Sequence, residues 1–294
     1  MTTFRHRCIQ DLAWVIQSPP LISGDIKQTN WWTATDCEKE YQACLPALIS
    51  LDHNPTVLEQ KLHHAKSYRL GHYFEALTTF WLETSPNYTL LVKQHPIRDK
   101  HTTLGEIDFI IRDNRSGEII HLEVAVKFYL GHNHLCNMGN WHGPELKDRL
   151  DLKFNRLRQH QTQLSRKYPH LMPHAVDSRA CLLKGRLFYP PGLKQCTTTF
   201  SAPQHLRGYW QHSLPEIPAS AHNSQKLIHL PKKYWLAPIQ NIAQHPATPH
   251  HPLSQAGCFA LCSDNQEQQR LFVLPDDFWL NVQIPALTAE PAQQ

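Results

Sequence analysis

The sequence predicts an α/β chain built on a central mixed β-sheet flanked by helices. Three observations predict it. Gly105 to Ile111 and Ile119 to Lys127 are runs rich in β-branched and aromatic residues, and Asp113-Asn114-Arg115-Ser116-Gly117 between them is turn chemistry, so the pair reads as a hairpin. A helical stretch with a regular apolar stripe precedes the hairpin. A basic amphipathic segment and a further apolar strand follow it.

Taken in order, residues 1–56 read as a helical to irregular cover, with Pro19-Pro20 as a breaker and Trp31-Trp32 as packing residues. Val57 to Leu82 is helical, with a break near Ser67; Leu70, Phe74, Leu77 and Trp81 recur at helical intervals, and Glu75 lies beside that stripe. Tyr88 to Gln94 reads as the first strand, ahead of the hairpin. Gly131 to Pro144 is a loop over the strand ends, carrying Asn137, Asn140, Trp141 and His142 toward a substrate. From Lys147 to Lys167, Leu150, Phe154, Leu157 and Leu164 form an apolar stripe among Lys147, Arg149, Lys153, Arg156, Arg158, Arg166 and Lys167. Such a basic face serves either a phosphate backbone or solvent. Ala180 to Tyr189 is a buried strand stopped by Pro190-Pro191-Gly192, which closes a core over residues 57–190. Residues 191–294, rich in Pro, His, Gln and Trp, read as an irregular extension packed on that core, with a loop from His245 to Pro252 and a disordered end from Thr288.

Composition narrows the function classes. At 294 residues the chain can bury a sizeable core without metal or disulfide staples. Its eight cysteines show no Cys-x-x-Cys pair, no signal-peptide stretch follows Met1, and no run approaches the roughly 20 apolar residues that span a bilayer. The expectation is a soluble protein of the reducing cytoplasm, with no membrane partner. A net charge of +4 says little about nucleic acid taken globally, although the 21 histidines raise it as pH falls.

The chemistry sits on the hairpin. Side chains at alternate positions share a strand face, so Glu106 and Asp108 point one way on the first strand, and His121, Glu123, Ala125 and Lys127 share a face of the second. Carboxylates inside apolar strands are costly unless paired or bound to a cation, and two that converge repel. A structural ion pair between Asp108 and Lys127 is one outcome, yet Glu106, Asp108 and Glu123 together exceed what one lysine neutralises. Few carboxylates with room for water suit Mg²⁺ or Mn²⁺, and a neighbouring lysine orients or acidifies an attacking water. Zinc at His132-x-His134-x-Cys136 is a lesser alternative, because that spacing departs from structural zinc motifs.

At these residues the sequence resembles the PD-(D/E)XK nuclease superfamily, and Gly105-Glu106-Ile107-Asp108 resembles small bacterial proteins related to Holliday junction resolvases. The wider pattern resembles a bacterial family catalogued as domain of unknown function 1853. It rests on Arg69-Leu70-Gly71-His72-Tyr73-Phe74-Glu75, Thr103 to Phe109, His121 to Leu130 and Lys184-Gly185-Arg186-Leu187-Phe188-Tyr189-Pro190. The superfamily resemblance implies a restriction-endonuclease-like core and Mg²⁺- or Mn²⁺-dependent hydrolysis of phosphodiester bonds, with DNA the favoured substrate. By it, Asp108, Glu123 and the carbonyl of Val124 hold the metal, Glu75 from the first helix acts through water or a second ion, and Lys127 positions the nucleophile; the basic helix, read beside the hairpin, supplies Arg149, Lys153 and Arg156 to hold phosphates. One departure stands out. The superfamily lysine falls two residues after the second acid, where this chain has Ala125; Lys127 starts about 13 Å from Glu123 along the strand, against about 7 Å. Lys93 in the preceding strand is another source of the ammonium. The alternative function is therefore a catalytically inactive nuclease-like module that binds nucleic acid or a protein partner.

Overall fold

The alternating residues of 105–111 and 119–127 do pair as a hairpin, within a larger sheet. The structure, a computed structural model, describes residues 3–23, 29–63, 69–100, 102–192, 201–215, 225–240, 242 and 254–282. In chain order the elements are α1 (Arg7–Gln17), β1 (Asn30–Trp31), α2 (Ala34–His53), α3 (Thr56–His63), α4 (Leu70–Thr84), β2 (Tyr88–Asp99), β3 (Thr102–Asp113), β4 (Ile119–Gly131) and β5 (Trp141–His142). There follow α5 (Leu150–Gln159), α6 (Leu164–Lys167), β6 (Ser178–Tyr189), β7 (Arg207–Gln211), β8 (Gln225–His229), β9 (Gly257–Ser263) and β10 (Gln266–Val273).

Among the described residues these strands form one sheet in the order β2-β3-β4-β6-β7-β10-β9-β8, with β1 beside β6 and β5 beside β4. It is mixed. β2, β3 and β4 run antiparallel, β4, β6, β7 and β10 pair in parallel, and β9 and β8 return antiparallel. Helices cover both faces. Phe74, Leu77 and Trp81 of α4 bury against Leu122, Val124, Val126, Phe128 and Leu130 of β4, whereas Leu150, Phe154 and Leu157 of α5 pack with Tyr129 on the opposite face. The even and odd residues of β4 thus serve different layers, as period-2 geometry requires. A helix entry signal is legible at α2, where Thr33 and Asp36 form a reciprocal capping box.

Three expectations need correction. The chain after residue 190 is not an irregular extension: β7, β8, β9 and β10 continue the central sheet, and Trp235, Cys258, Phe272 and Phe278 share one hydrophobic cluster with Phe4, Trp81 and Val124. β7 and β8 are five residues each, with polar residues at their ends; such strands are stabilised by a partner ladder that local pattern does not reveal. The basic segment is not one helix either. Thr162 donates its hydroxyl to the carbonyls of Leu157 and Arg158 at 3.0 and 3.2 Å, competing with continued helical bonding, and a 3₁₀ turn at Gln161–Gln163 separates α5 from α6. Within the loop 131–144, Trp141 and His142 pair with Gly131 and Leu130 as β5. The expected break near Ser67, the loop from His245 to Pro252 and the disordered end from Thr288 lie outside the described residues, although α3 and α4 are separate helices.

Two residues of β6 fix neighbouring elements. Fully buried Lys184 donates to the carbonyls of Ile16 and Ser18, and to Cys37 Sγ at 3.2 Å, which satisfies the C-terminal end of α1. Gly185 pairs with Lys127 at φ +137°, and a Cβ there would lie 1.6 Å from the Lys127 carbonyl oxygen. Only glycine admits that approach. Asp11 joins distant parts of the chain, accepting from Tyr73 Oη and from the backbone N–H of Ala237, both at 3.0 Å, and pairing with Arg7 at 2.8 Å.

Candidate active site

The β3–β4 ladder registers Arg112 through Phe109 against Ile119 through Leu122 and stops there. Beyond it, side chains take over the backbone donors. Val124 N–H donates to Asp108 Oδ2 at 2.9 Å, and Asp108 N–H donates to Glu123 Oε1 at 3.3 Å. The hairpin therefore opens at its acidic residues. Because the N–H and C=O of one residue point to the same strand edge, the carbonyl of Val124 shares the edge that Asp108 occupies.

Glu123 is fully buried and Asp108 half-buried. Burial is the main reason that each carboxyl is pushed up to about 7; for Asp108 the adjacent charge of Glu123 adds to it, while the Lys153 ammonium opposes the rise in both. Two coupled carboxyls near neutrality titrate as a unit and share a proton between them. Glu123 is fixed at both oxygens. His121 Nε2 lies 2.8 Å from Oε1, and Gln161 Nε2 donates to Oε2 at 2.8 Å. His121 is fully buried and held down to about 4 by burial, so the contact is a hydrogen bond from a neutral imidazole whose Nδ1 accepts from Ser165 Oγ at 2.9 Å.

Glu75, from α4, is half-buried and accepts from Gln94 Nε2 at 3.3 Å. Its carboxyl is raised by burial first and by the charge of Asp108 second, so it stands in the field of the same pair. Glu106 is exposed, and its charge reaches both Glu75 and Glu123. Among the described residues no group of three or more His, Cys, Asp or Glu side chains forms a metal cage. What the residues offer is a pair of carboxylates with a strand carbonyl at the same edge. That oxygen set suits a hard cation that keeps most of its water.

The cations fall differently from expectation. Lys127 shares the face of Glu123, but its Nζ pairs with Asp148 Oδ2 at 2.5 Å, which also accepts from Tyr129 Oη at 3.3 Å. Lys93 is exposed and pairs with Glu83 at 3.2 Å. The ammonium that stands with the acids is Lys153 of α5, expected instead to hold phosphate. It donates to Gln161 Oε1 at 3.2 Å, and its pKa is lowered by burial and by Lys127 while Asp108 and Glu123 act to raise it. Arg156 is exposed one turn along α5, and its charge reaches Lys153. Arg149 lies away from the pair, bidentate to Asp151 at 2.6 and 2.8 Å. Cys136 is disulfide-bonded, which departs from eight reduced thiols and removes the thiolate from the zinc alternative.

Sequence reasoning left His121, Gln161 and Ser165 without roles. For His121 a signal exists, since His-x-Glu on one strand puts both side chains on one face. Gln161 reaches Glu123 only because Thr162 breaks the helix, and Ser165 follows that break.

The fold and site define a mixed α/β protein with a coupled carboxylate pair at the open end of a hairpin. The chain belongs to the family described as Domain of unknown function (DUF1853), whose model matches residues 10–274. No curated protein and no solved structure matches the chain. Among the described residues no helix is long and apolar enough to cross a membrane.

Proposed function

We propose that the protein is a Mg²⁺- or Mn²⁺-dependent nuclease that hydrolyses phosphodiester bonds in nucleic acid, with DNA the favoured substrate, on a restriction-endonuclease-like core. One observation carries this reading: Asp108 and Glu123 converge where the hairpin opens, each accepting a backbone N–H from the other strand, and Gln161 joins Glu123 to the Lys153 ammonium. Asp108, Glu123 and the carbonyl of Val124 would hold the metal, and Glu75 would reach it through water. The bound metal supplies Lewis acidity toward the phosphoryl oxygens and lowers the pKa of a water. Lys153 takes the role first expected of Lys127, orienting the attacking water and compensating charge at the phosphate. Gln161 links Lys153 to Glu123, so the ammonium and carboxylate keep a fixed separation. His121 holds the other oxygen of Glu123, and exposed Arg156 receives the neighbouring phosphate.

A specific observation favours the second reading, an inactive module that binds nucleic acid or a protein partner. Both oxygens of Glu123 already accept hydrogen bonds within the chain. Incubating labelled single-stranded, double-stranded and branched DNA, and RNA, with Mg²⁺, Mn²⁺ or EDTA separates the two. Cleavage that needs metal and is abolished by Asp108→Ala and Glu123→Ala supports the nuclease; binding without cleavage of any substrate overturns it in favour of the module.

A further inference from the structure

The carboxylate site leaves unexplained a cavity at the far end of β4. It encloses about 740 Å³, and its walls include His132, His142, Arg149, Trp210 and Trp279. Four of those rings form a continuous run: His142 to His132 at 5.2 Å between centroids, His132 to Trp279 at 4.3 Å, and Trp279 to Trp210 at 5.1 Å. Rings at such spacing offer further planar groups a surface to stack on. Hydrogen bonding in the wall is incomplete. Trp210 Nε1 donates to the carbonyl of Gly131 at 2.7 Å, whereas His132 Nε2 and Trp279 Nε1, both shielded from solvent, have no partner. Burial holds His142 down to about 4 and lowers His132 as well, so both rings are neutral near pH 7 and each carries one donor and one acceptor. Among the described residues the one cation of these walls is Arg149, whose Nε and Nη2 are held by Asp151 while Nη1 takes no part in that pair.

Neutral rings along the wall of a cavity of this size, beside one anchored guanidinium, complement a planar ring that carries an anion. An aliphatic ligand would forgo stacking on the rings, and a bare anion would make no use of them. We propose that this cavity is a nucleobase subsite, which seats one unpaired base of a nucleic-acid strand with Arg149 on its phosphate. The assignment to a strand rests on the nuclease reading. β4 rises about 26 Å from Glu123 to Gly131, so a single nucleotide does not reach both sites and the two are separable by experiment.

Calorimetric titration of the full chain in EDTA with dAMP, adenosine and inorganic phosphate tests it. dAMP is expected to bind wild type and Asp108→Ala alike. Trp279→Ala should weaken dAMP and adenosine by about ten-fold or more, the usual worth of one stacked base. Arg149→Gln should weaken dAMP and leave adenosine unchanged, a pattern that local unfolding would not produce. Absence of dAMP binding to wild type, its loss in Asp108→Ala, or phosphate binding as tightly as dAMP would each overturn the subsite. Retained dAMP binding in a protein that cleaves nothing supports the subsite and removes only the nuclease reading.

Discussion

Replacing Asp108 by asparagine should make the metal-free protein more stable at pH 8. The substitution keeps an oxygen to accept from Val124 N–H and removes the charge that burial and Glu123 disfavour. An acid held at about 7 in place of its ordinary 3.8 disfavours its charged form by about 4 kcal/mol, and sharing one proton with Glu123 brings the net gain to about 2–4 kcal/mol. The sign follows from linkage. The folded chain binds this proton more tightly than the unfolded chain, so wild type has the full contribution below about pH 4 and loses it as pH rises through about 7. Asp108→Asn should therefore match wild type at low pH and exceed it at pH 8, by roughly 4–10 °C in Tm. Divalent cation should close most of that gap: saturation at a hundred times Kd stabilises wild type by about 2.7 kcal/mol and leaves the variant unmoved. Differential scanning calorimetry between pH 4 and 8, with EDTA or with Mn²⁺, reads all of this. A lower Tm for the variant in EDTA at pH 8, or equal stabilisation of both proteins by Mn²⁺, would refute the coupled-carboxylate argument.

The remaining predictions concern the cations and the strand beneath them. Lys153→Ala should lower metal-dependent cleavage by about 100-fold or more in steady-state assays, whereas Lys127→Ala should cost less than ten-fold. Lys127→Ala should instead lower Tm, since it leaves Asp148 with Tyr129 as its remaining side-chain donor. Gly185→Ala should destabilise by more than about 4 kcal/mol in chemical denaturation, because a Cβ at that φ would strike the Lys127 carbonyl.

The hairpin and its acids were legible because strand period and turn chemistry are local. Asp108, Glu123 and Glu75 could be placed from alternation, helical spacing and resemblance before any long-range contact was known. The ammonium could not. Lys153 sits 30 residues beyond Glu123, and its approach depends on how α5 packs Leu150, Phe154 and Leu157 against the sheet. Gln161 depends on a helix break set by one hydroxyl. The C-terminal strands were missed for a related reason: Arg207-Gly208-Tyr209-Trp210-Gln211 is a strand because Leu187–Tyr189 and Leu271–Val273 flank it, and its own pattern barely alternates.

Where the ammonium originates should matter less than where it ends. Ala125 follows Glu123 by two positions, shares its face and packs beneath the α5 layer. A lysine at 125 would start about 7 Å from Glu123, while Lys153→Ala would vacate the space that the helix lysine fills. Ala125→Lys combined with Lys153→Ala is thus a positional exchange of one ammonium between helix and strand. Ala125→Lys alone should lower Tm, because the longer side chain is forced into the packing beneath α5 while Lys153 still fills that space. The double variant should recover at least ten-fold of the cleavage lost in Lys153→Ala. A double variant that melts like wild type yet cleaves no better than Lys153→Ala would show that Lys153 contributes through the α5 scaffold, and the lysine would then lose its place beside the attacking water.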